Sequence, residues 1–309
     1  MKRAHSDSAV RAGSDLVLSE PDFAALAAHI HRETGIFLPP SKRLLLQSRL
    51  AKRLRALGLS DFGAYRALLE RGEHPGETAH FVSAITTNVT RFMREPHQFD
   101  LLREVALPPL VARARAGGRV RLWCAGCATG EEPYSLAIVL LSLFPDAAEH
   151  DVRILATDLD PSAVEAATTG RYPASALAAF PATTRQHHFR PVAGMQDHVE
   201  VGAALRRLVT CRVLNLLDPW PFRGGFDIIM CRNVVIYFDA TTQSTLWRQF
   251  AAVQKRPGDW LVIGHSERLD QRARAWYAPE RGNVFVRNAV AVTDGAAPLH
   301  LTEEQGGLR

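Results

Sequence analysis

Residues 122–136 read LWCAGCATGEEPYSL. An apolar run ends in a turn that holds two cysteines, Cys124 and Cys127, and two glycines, Gly126 and Gly130. Two carboxylates, Glu131 and Glu132, follow at once, and a largely apolar helical stretch takes over. Strand, glycine turn and helix in that order form the opening unit of a Rossmann-like α/β fold. Three kinds of site share such a turn: a thiol or zinc site, a phosphate loop, and a loop for a ligand of another charge.

The CxxC spacing is the first option. Structural zinc takes four ligands, usually as two close pairs. Cys211 and Cys231 stand alone, and neither His29/His31 nor His187/His188 supplies a matching pair. Cys124 also falls inside the apolar run, so both thiols read as small core residues. The phosphate option lacks both the G-x-G-x-x-G fingerprint and a P-loop lysine. Glu131 and Glu132 argue further against it. A helix N-terminus favours anions, but two carboxylates placed there repel a pyrophosphate and attract a cation. S-adenosylmethionine (SAM) meets those terms, with a nucleoside, a sulfonium, an ammonium and no phosphate. Thr129–Glu132 also matches a T-x-x-E capping box, with Pro133 in the first turn. That assigns Glu132 to local stability and leaves Glu131 as the ligand candidate.

Outward from this turn, VRLWCAG (120–126), VRILATD (152–158), FDIIMC (226–231) and WLVIG (260–264) read as buried strands, with NVFVRN (283–288) as a last one. Helices between them predict a parallel sheet covered on both faces. Asp158 closes the second strand, where nucleotide folds place the acid that holds a ribose. HFRPV, HVEV and VTCRVL break the rhythm and predict a small antiparallel β insertion at about 183–213.

Residues 15–95 read as an all-helical domain, and 96–291 as the α/β domain. Helix starts are predicted at Ser19, Ser41 and Ser60, with a fourth helix bearing Phe81, Val82 and Ile85 on one face. The segments 1–14 and 292–309 read as disordered tails. The 41–57 helix, SKRLLLQSRLAKRLRAL, is strongly basic. Lys42, Arg49 and Arg53 fall roughly along one side, with Lys52 near them, as a solvated face or a dock for an acidic helix.

With 47% apolar and 22% charged residues, the composition is that of a globular chain. The run LAIVLLSLF (136–144) is too short to span a bilayer. The N-terminus carries charge without an apolar stretch behind it, so no secretory signal is expected. Four cysteines and no export signal suit reduced thiols. The net charge of +5 leans weakly towards an acidic partner. No base-methyltransferase string of the N-P-P-Y type occurs, so nucleic acid is not expected as substrate.

WCAGCATGEEPYSLA, ATDLD, NLLD, FDIIMCRNVVIYFD and GHSE, in that order, resemble the chemotaxis receptor methyltransferases, the CheR family. TTNVTRFMRE (86–95) resembles that family's T-x-N-x-T-x-F-F-R-E segment. The resemblance covers roughly 19–290. It departs at Met93, where phenylalanine is usual, and at Cys124, where serine is common. It implies an N-terminal helical domain, a Rossmann-like SAM-dependent methyltransferase domain and a small β-subdomain inserted in the latter. It implies methyl transfer to glutamate side chains on the acidic helical methylation region of membrane chemoreceptors, with S-adenosylhomocysteine as product. Carried over by position, Asn88, Thr90, Arg94, Ala125, Glu131, Asp158, Asn215, Leu216, Arg232 and Asn233 bind the cofactor. Arg94 and Tyr237 are the candidates closest to the chemistry, and Lys42, Arg49, Lys52 and Arg53 meet the receptor. Such a protein is expected to be a cytoplasmic monomer recruited to receptor arrays, not inserted in the membrane. The glycine-poor turn of PVAGMQDHVEV (191–201) argues against the insertion gripping a peptide tether. The alternatives are a SAM-binding scaffold without turnover and, further off, an NAD-dependent dehydrogenase, which Glu131 and the missing fingerprint disfavour.

Overall fold

The computed structural model describes residues 16–289 apart from 73 and 75, so both expected tails lie outside the described residues. The chain divides into two units. One holds the described residues up to Glu33 together with Phe37–Thr86; the other holds Thr34–Ile36 and the described residues from Thr87 onward. Residues 87–95, which the sequence reading attaches to the helical domain, cluster with the second unit.

The first unit is built on four helices, α1 (Glu20–Thr34), α2 (Arg43–Leu57), α3 (Phe62–Arg71) and α4 (Glu77–Ile85). Ser19 caps α1 as expected, its hydroxyl accepting from Asp22 N–H at 3.2 Å. The cap of α3 is Asp61 rather than Ser60, accepting from Ala64 N–H at 2.8 Å. Leu46, Leu50 and Leu54 give α2 one buried stripe, and Phe62, Tyr65, Leu68 and Leu69 give α3 another. One charge enters this core. Glu77 is 3% exposed and accepts from Arg53 at 2.8 and 2.5 Å and from the Tyr65 hydroxyl at 2.9 Å. Burial pushes its carboxyl up, but the Arg53 and Tyr65 bonds outweigh that and hold it below the usual range.

The second unit opens with α5 (Pro96–Leu101), which passes through a π-helical turn, Leu102–Ala106, into α6 (Leu107–Arg115). Pro108 and Pro109 cannot donate back into the preceding turn, which accounts for the irregular junction. There follow β1 (Val120–Ala125), α7 (Glu131–Leu143), β2 (Val152–Asp158), α8 (Pro161–Thr169), β3 (Arg171–Pro173), α9 (Ala182–His188), β4 (Phe189–Val192) and β5 (Met195–Val201). Then come α10 (Ala203–Leu208), β6 (Val209–Val213), β7 (Ile228–Cys231), α11 (Ala240–Val253), β8 (Trp260–Ile263), α12 (Ala273–Trp276), β9 (Tyr277–Pro279) and β10 (Val284–Arg287).

A seven-stranded sheet runs in the order β6-β2-β1-β7-β8-β10-β9. Its first five strands are parallel, and β10 and β9 close the far edge antiparallel. Side chains alternate between two cores. Val120, Leu122 and Cys124 of β1 pack on one face; Trp123 and Ala125 pack on the other. The expectation of a sheet covered on both faces therefore holds. Helix α7 is buried nearly all round, as its LAIVLL run requires.

A separate three-stranded antiparallel sheet, β3-β5-β4, forms the inserted subdomain. Its strands span 171–201, so the expected limits of 183–213 are displaced. VTCRV is not part of it: β6 pairs parallel with β2 as an edge strand of the main sheet. Its short length and mixed burial conceal that role in the sequence.

Candidate cofactor site

Strand β2 lies on one side of β1 and β7 on the other. The chain order thus reverses at β1, and the crevice at the C-terminal ends of β1 and β7 is where such sheets take ligands. The turn after β1 and the loop after β7 both open there.

The turn after β1 is shaped by its glycines. Gly126 has φ 94°, and a Cβ on it would fall 2.2 Å from the Val234 side chain of the loop after β7. Gly130 has φ 100°, and a Cβ there would meet the Tyr172 hydroxyl at 2.7 Å and Ala167 Cα at 3.0 Å. Both N–H groups of Gly126 and Cys127 donate to Thr157 O at 2.8 Å. Asp158 pins the same turn, accepting from Ala128 N–H at 2.8 Å and Asp160 N–H at 3.0 Å. Burial pushes the Asp158 carboxyl up, against these bonds.

The expected capping box does not form. The residue preceding α7 is Gly130, in the left-handed region and without a side-chain cap. Thr129 lies one position too early, and its hydroxyl donates to Glu131 at 2.7 Å. Glu132 is structural for a different reason: it pairs with Arg232 at 3.0 Å. The two adjacent acids therefore have separate fates. Glu131 is half-buried, has no ion-pair partner among the described residues, and is pushed up by burial. An uncompensated carboxylate beside a glycine turn fits a cationic ligand, as does Asp158 for a ribose. The donor set present thus suits SAM.

The loop after β7 carries Arg232, Asn233 and Tyr237. Arg232 is buried and turned inward. It pairs with Glu132, lies 3.5 Å from Glu95, donates to Arg94 O, and packs over the Phe99 ring at 5.4 Å. Asn233 takes φ 61° and is half-buried. Tyr237 is also half-buried and belongs to neither core.

Asn88 donates to Asp160 at 2.6 Å, and Arg94, half-buried, donates to Val89 O at 3.3 Å. Thr90 is half-buried in the same segment. Phe92 anchors that segment, its ring 4.9, 5.4 and 5.7 Å from Tyr172, Phe180 and Phe189 of the subdomain region. Tyr172 in turn donates to Thr129 O at 2.8 Å, joining the subdomain to the glycine turn. Ala125 is buried at the end of β1. Asn215 follows β6, accepting from Leu217 N–H at 3.1 Å and donating to Asp218 at 3.1 Å. Leu216 is buried beside it. All these positions lie in the second unit.

Four residues escape the sequence reading: Asp160, Glu95, His265 and Glu267. Glu95 pairs with His265 at 2.9 Å as well as with Arg232. Burial pushes its carboxyl up, but His265 and Arg232 outweigh that and hold it below its ordinary value. Glu95 and Glu267 each end a segment that carries the family resemblance, TTNVTRFMRE and GHSE, and that resemblance was the available signal.

The cysteines are free and buried. Burial raises the Cys124, Cys127 and Cys231 thiols well above the usual range, which suits inert core thiols. No metal-holding cluster occurs among the described residues.

In the first unit the basic helix divides. Arg49 donates to Ile85 O at 2.5 Å and Thr86 O at 3.1 Å, and Arg53 is taken by Glu77. Lys42 and Lys52 are exposed. No helix among the described residues is long and apolar enough to cross a membrane.

Residues 88–285 match the family described as CheR methyltransferase, SAM binding domain, and residues 21–86 match its all-alpha domain. The chain is 45% identical to a probable chemotaxis protein methyltransferase of Rhizobium etli, covering 79% of this chain and 91% of that one. It is 38% identical to the chemotaxis protein methyltransferase of Klebsiella aerogenes, over 90% of this chain and 96% of that one. Identity to the Escherichia coli chemotaxis protein methyltransferase is also 38%, over 84% and 88%. Fold, turn and match together define a SAM-dependent methyltransferase. The chain belongs to the CheR methyltransferase family.

Proposed function

We propose that this protein transfers a methyl group from SAM to glutamate side chains on the cytoplasmic helices of chemoreceptors, forming methyl esters in chemosensory adaptation. The observation that carries this is the family match over 88–285, joined to a glycine turn whose Glu131 has no counter-cation among the described residues.

When bound, SAM supplies a methyl group activated on a sulfonium. Glu131 offers its carboxylate to the cationic end, and Asp158 holds the ribose. Asn215 and Leu216 border the adenine, next to Ala125. Asn88, Thr90 and Arg94 close the site from the segment before α5, with Arg94 facing a carboxylate. Tyr237 lies near the transferred methyl, and Asn233, which the resemblance puts at the cofactor, stands on the same loop. Arg232, spent on Glu132 and Glu95, holds the loop in place. A glutamate acceptor, with an ordinary pKa of about 4.3, is already an anion at neutral pH. The chain therefore needs no general base, and its work is alignment and exclusion of water. Tyr237→Phe should weaken turnover without abolishing it.

Of the four cations expected to meet an acidic helix, Lys42 and Lys52 are the two that stand exposed. The charge is modest, so this contact supplies steering more than affinity.

The test is calorimetric titration with SAM and S-adenosylhomocysteine, wild type beside Asp158→Ala. Radiolabelled methyl transfer to receptor fragments follows, with base-labile methanol release as the mark of an ester. Saturable binding lost in the variant, with labelled ester in wild type, is expected. Binding without transfer would favour the silent scaffold, and no binding to folded protein would sink the methyltransferase reading.

A further inference from the structure

The loop after β7 has a backbone feature that the roles above do not use. Asn233 is left-handed at φ 61°, and Val234 follows at φ −109°, ψ −50°. Paired left- and right-handed residues turn successive N–H groups inward and form a nest, an anion-binding concavity. Here a side chain of the same protein occupies it. Glu267 Oε1 accepts from Val234 N–H at 2.9 Å and Val235 N–H at 3.0 Å. Its Oε2 accepts from Gly264 N–H at 2.5 Å.

Glu267 is 3% exposed and has no ion-pair partner among the described residues. Among the described residues its carboxylate is met by backbone N–H groups, which only partly offset the burial that pushes it up. Its own position is fixed in turn: Glu267 N–H donates to Gly264 O at 3.0 Å, and Asn283 donates to Gly264 O at 2.7 Å and Glu267 O at 3.1 Å. Space is tight. A Cβ on Gly264 would fall 2.8 Å from both Glu267 Oε2 and Asn233 Nδ2. The end of β8 thus grips the loop that presents Asn233 and Tyr237.

We propose that Glu267 is a positioning residue for methyl transfer: its carboxylate fills the nest at the end of β7 and sets the backbone that aims Asn233 and Tyr237. This rests on the methyltransferase reading above. Glu131 opens α7 and Asp158 ends β2, away from this loop, so cofactor affinity and turnover should separate.

The experiment uses the full chain with Glu267→Ala and Glu267→Gln. Hydrogen exchange at the Val234 and Val235 amides is read first, then S-adenosylhomocysteine affinity, then kcat on receptor fragments, each with and without formate. In Glu267→Ala we expect faster exchange, ligand affinity within about threefold of wild type, and kcat down about 100-fold, since small misplacement costs that much. Formate, small enough for the emptied nest, should restore protection and at least about tenfold of the lost rate, with no effect on wild type. Glu267→Gln keeps one acceptor oxygen and should fall between the two. If Glu267→Ala does not fold, Glu267→Gln carries the test alone. Unchanged exchange at Val234 and Val235 overturns the proposal, as does equal loss of affinity and rate without formate rescue. A wild type that binds SAM but transfers no methyl defeats the function reading instead; exchange at Val234 and Val235 then still decides the clamp.

Discussion

The turn after β1 and the loop after β7 leave neighbouring strands and meet in one crevice, yet they are held by different means. The turn is held mainly by backbone: left-handed glycines, paired N–H groups on Thr157 O, and space that only glycine leaves. The loop is held by charged and polar side chains, the charged ones from far along the chain. Glu132 and Glu95 hold Arg232, Glu267 holds Val234 and Val235, and Gln243 donates to Val235 O at 2.9 Å and Phe238 O at 3.0 Å. A local device tolerates almost no substitution, and its glycines carry no charge for pH to change. A charged device tolerates shape changes and fails when a charge is removed.

Gly126→Ala should break the turn outright. It forces a positive φ on alanine and drives a Cβ into Val234, a β-branched side chain with little freedom to move. A loss of about 2–5 kcal/mol in stability is expected from the combined strain and overpacking. Urea unfolding measures it, with SAM affinity falling in parallel. A soluble variant with wild-type affinity would show that the turn is not held by space.

Arg232→Met should break the loop by leaving two inward-facing carboxylates without their guanidinium. The expected cost is about 3–5 kcal/mol, as for one partner lost from a buried pair. Adding Glu132→Gln should recover part of it, because the orphaned charge is then removed. No recovery in the double variant would mean that Arg232 acts through packing on Phe99 instead.

Acid sharpens the contrast. Glu95 is depressed below its ordinary 4.5, so it stabilises the folded state above that pH and stops doing so as pH falls through its lowered value. The difference in urea midpoint between wild type and Glu95→Gln should be full at pH 7 and shrink steadily below pH 4.5. Gly126→Ala should show no such pH dependence. A Glu95→Gln deficit that does not shrink as the pH falls would argue against the charge account.

The smallest effect concerns exposed side chains with no ion-pair partner among the described residues. Charge reversal at Lys42 and Lys52 should change stability by no more than about 0.5 kcal/mol. It should raise KM for an acidic receptor fragment about tenfold at low salt, and less at high salt. Arg49→Ala should instead lower stability, because it strips two carbonyls at the end of α4 of a charged donor. If all three behave alike, the division of the basic helix is wrong.

The four main parallel strands, the glycine turn and the acid at Asp158 were legible because each is a local signal. Periodicity marks burial, a glycine marks a turn, and an acid can close a strand, as Asp158 closes β2. The segment TTNVTRFMRE was legible only as a resemblance, since nothing in its composition says that Phe92 inserts among Tyr172, Phe180 and Phe189. The T-x-x-E match misled because a capping box needs the threonine at the cap itself, and Gly130 took that place. Arg49 and Arg53 misled because helical spacing shows which residues share a side, not which side faces the two ends of α4.

Local chemistry decided the strands, the turn and the acidic character of the cofactor crevice, because those depend on residues within one turn or strand of each other. Tertiary structure alone decided that β6 joins the main sheet, that Glu132 and Arg232 neutralise each other across 100 residues, and that Glu267 fills a nest 32 residues before it. Charge pairing and burial depend on what the folded chain brings close, and separation along the sequence carries no record of it.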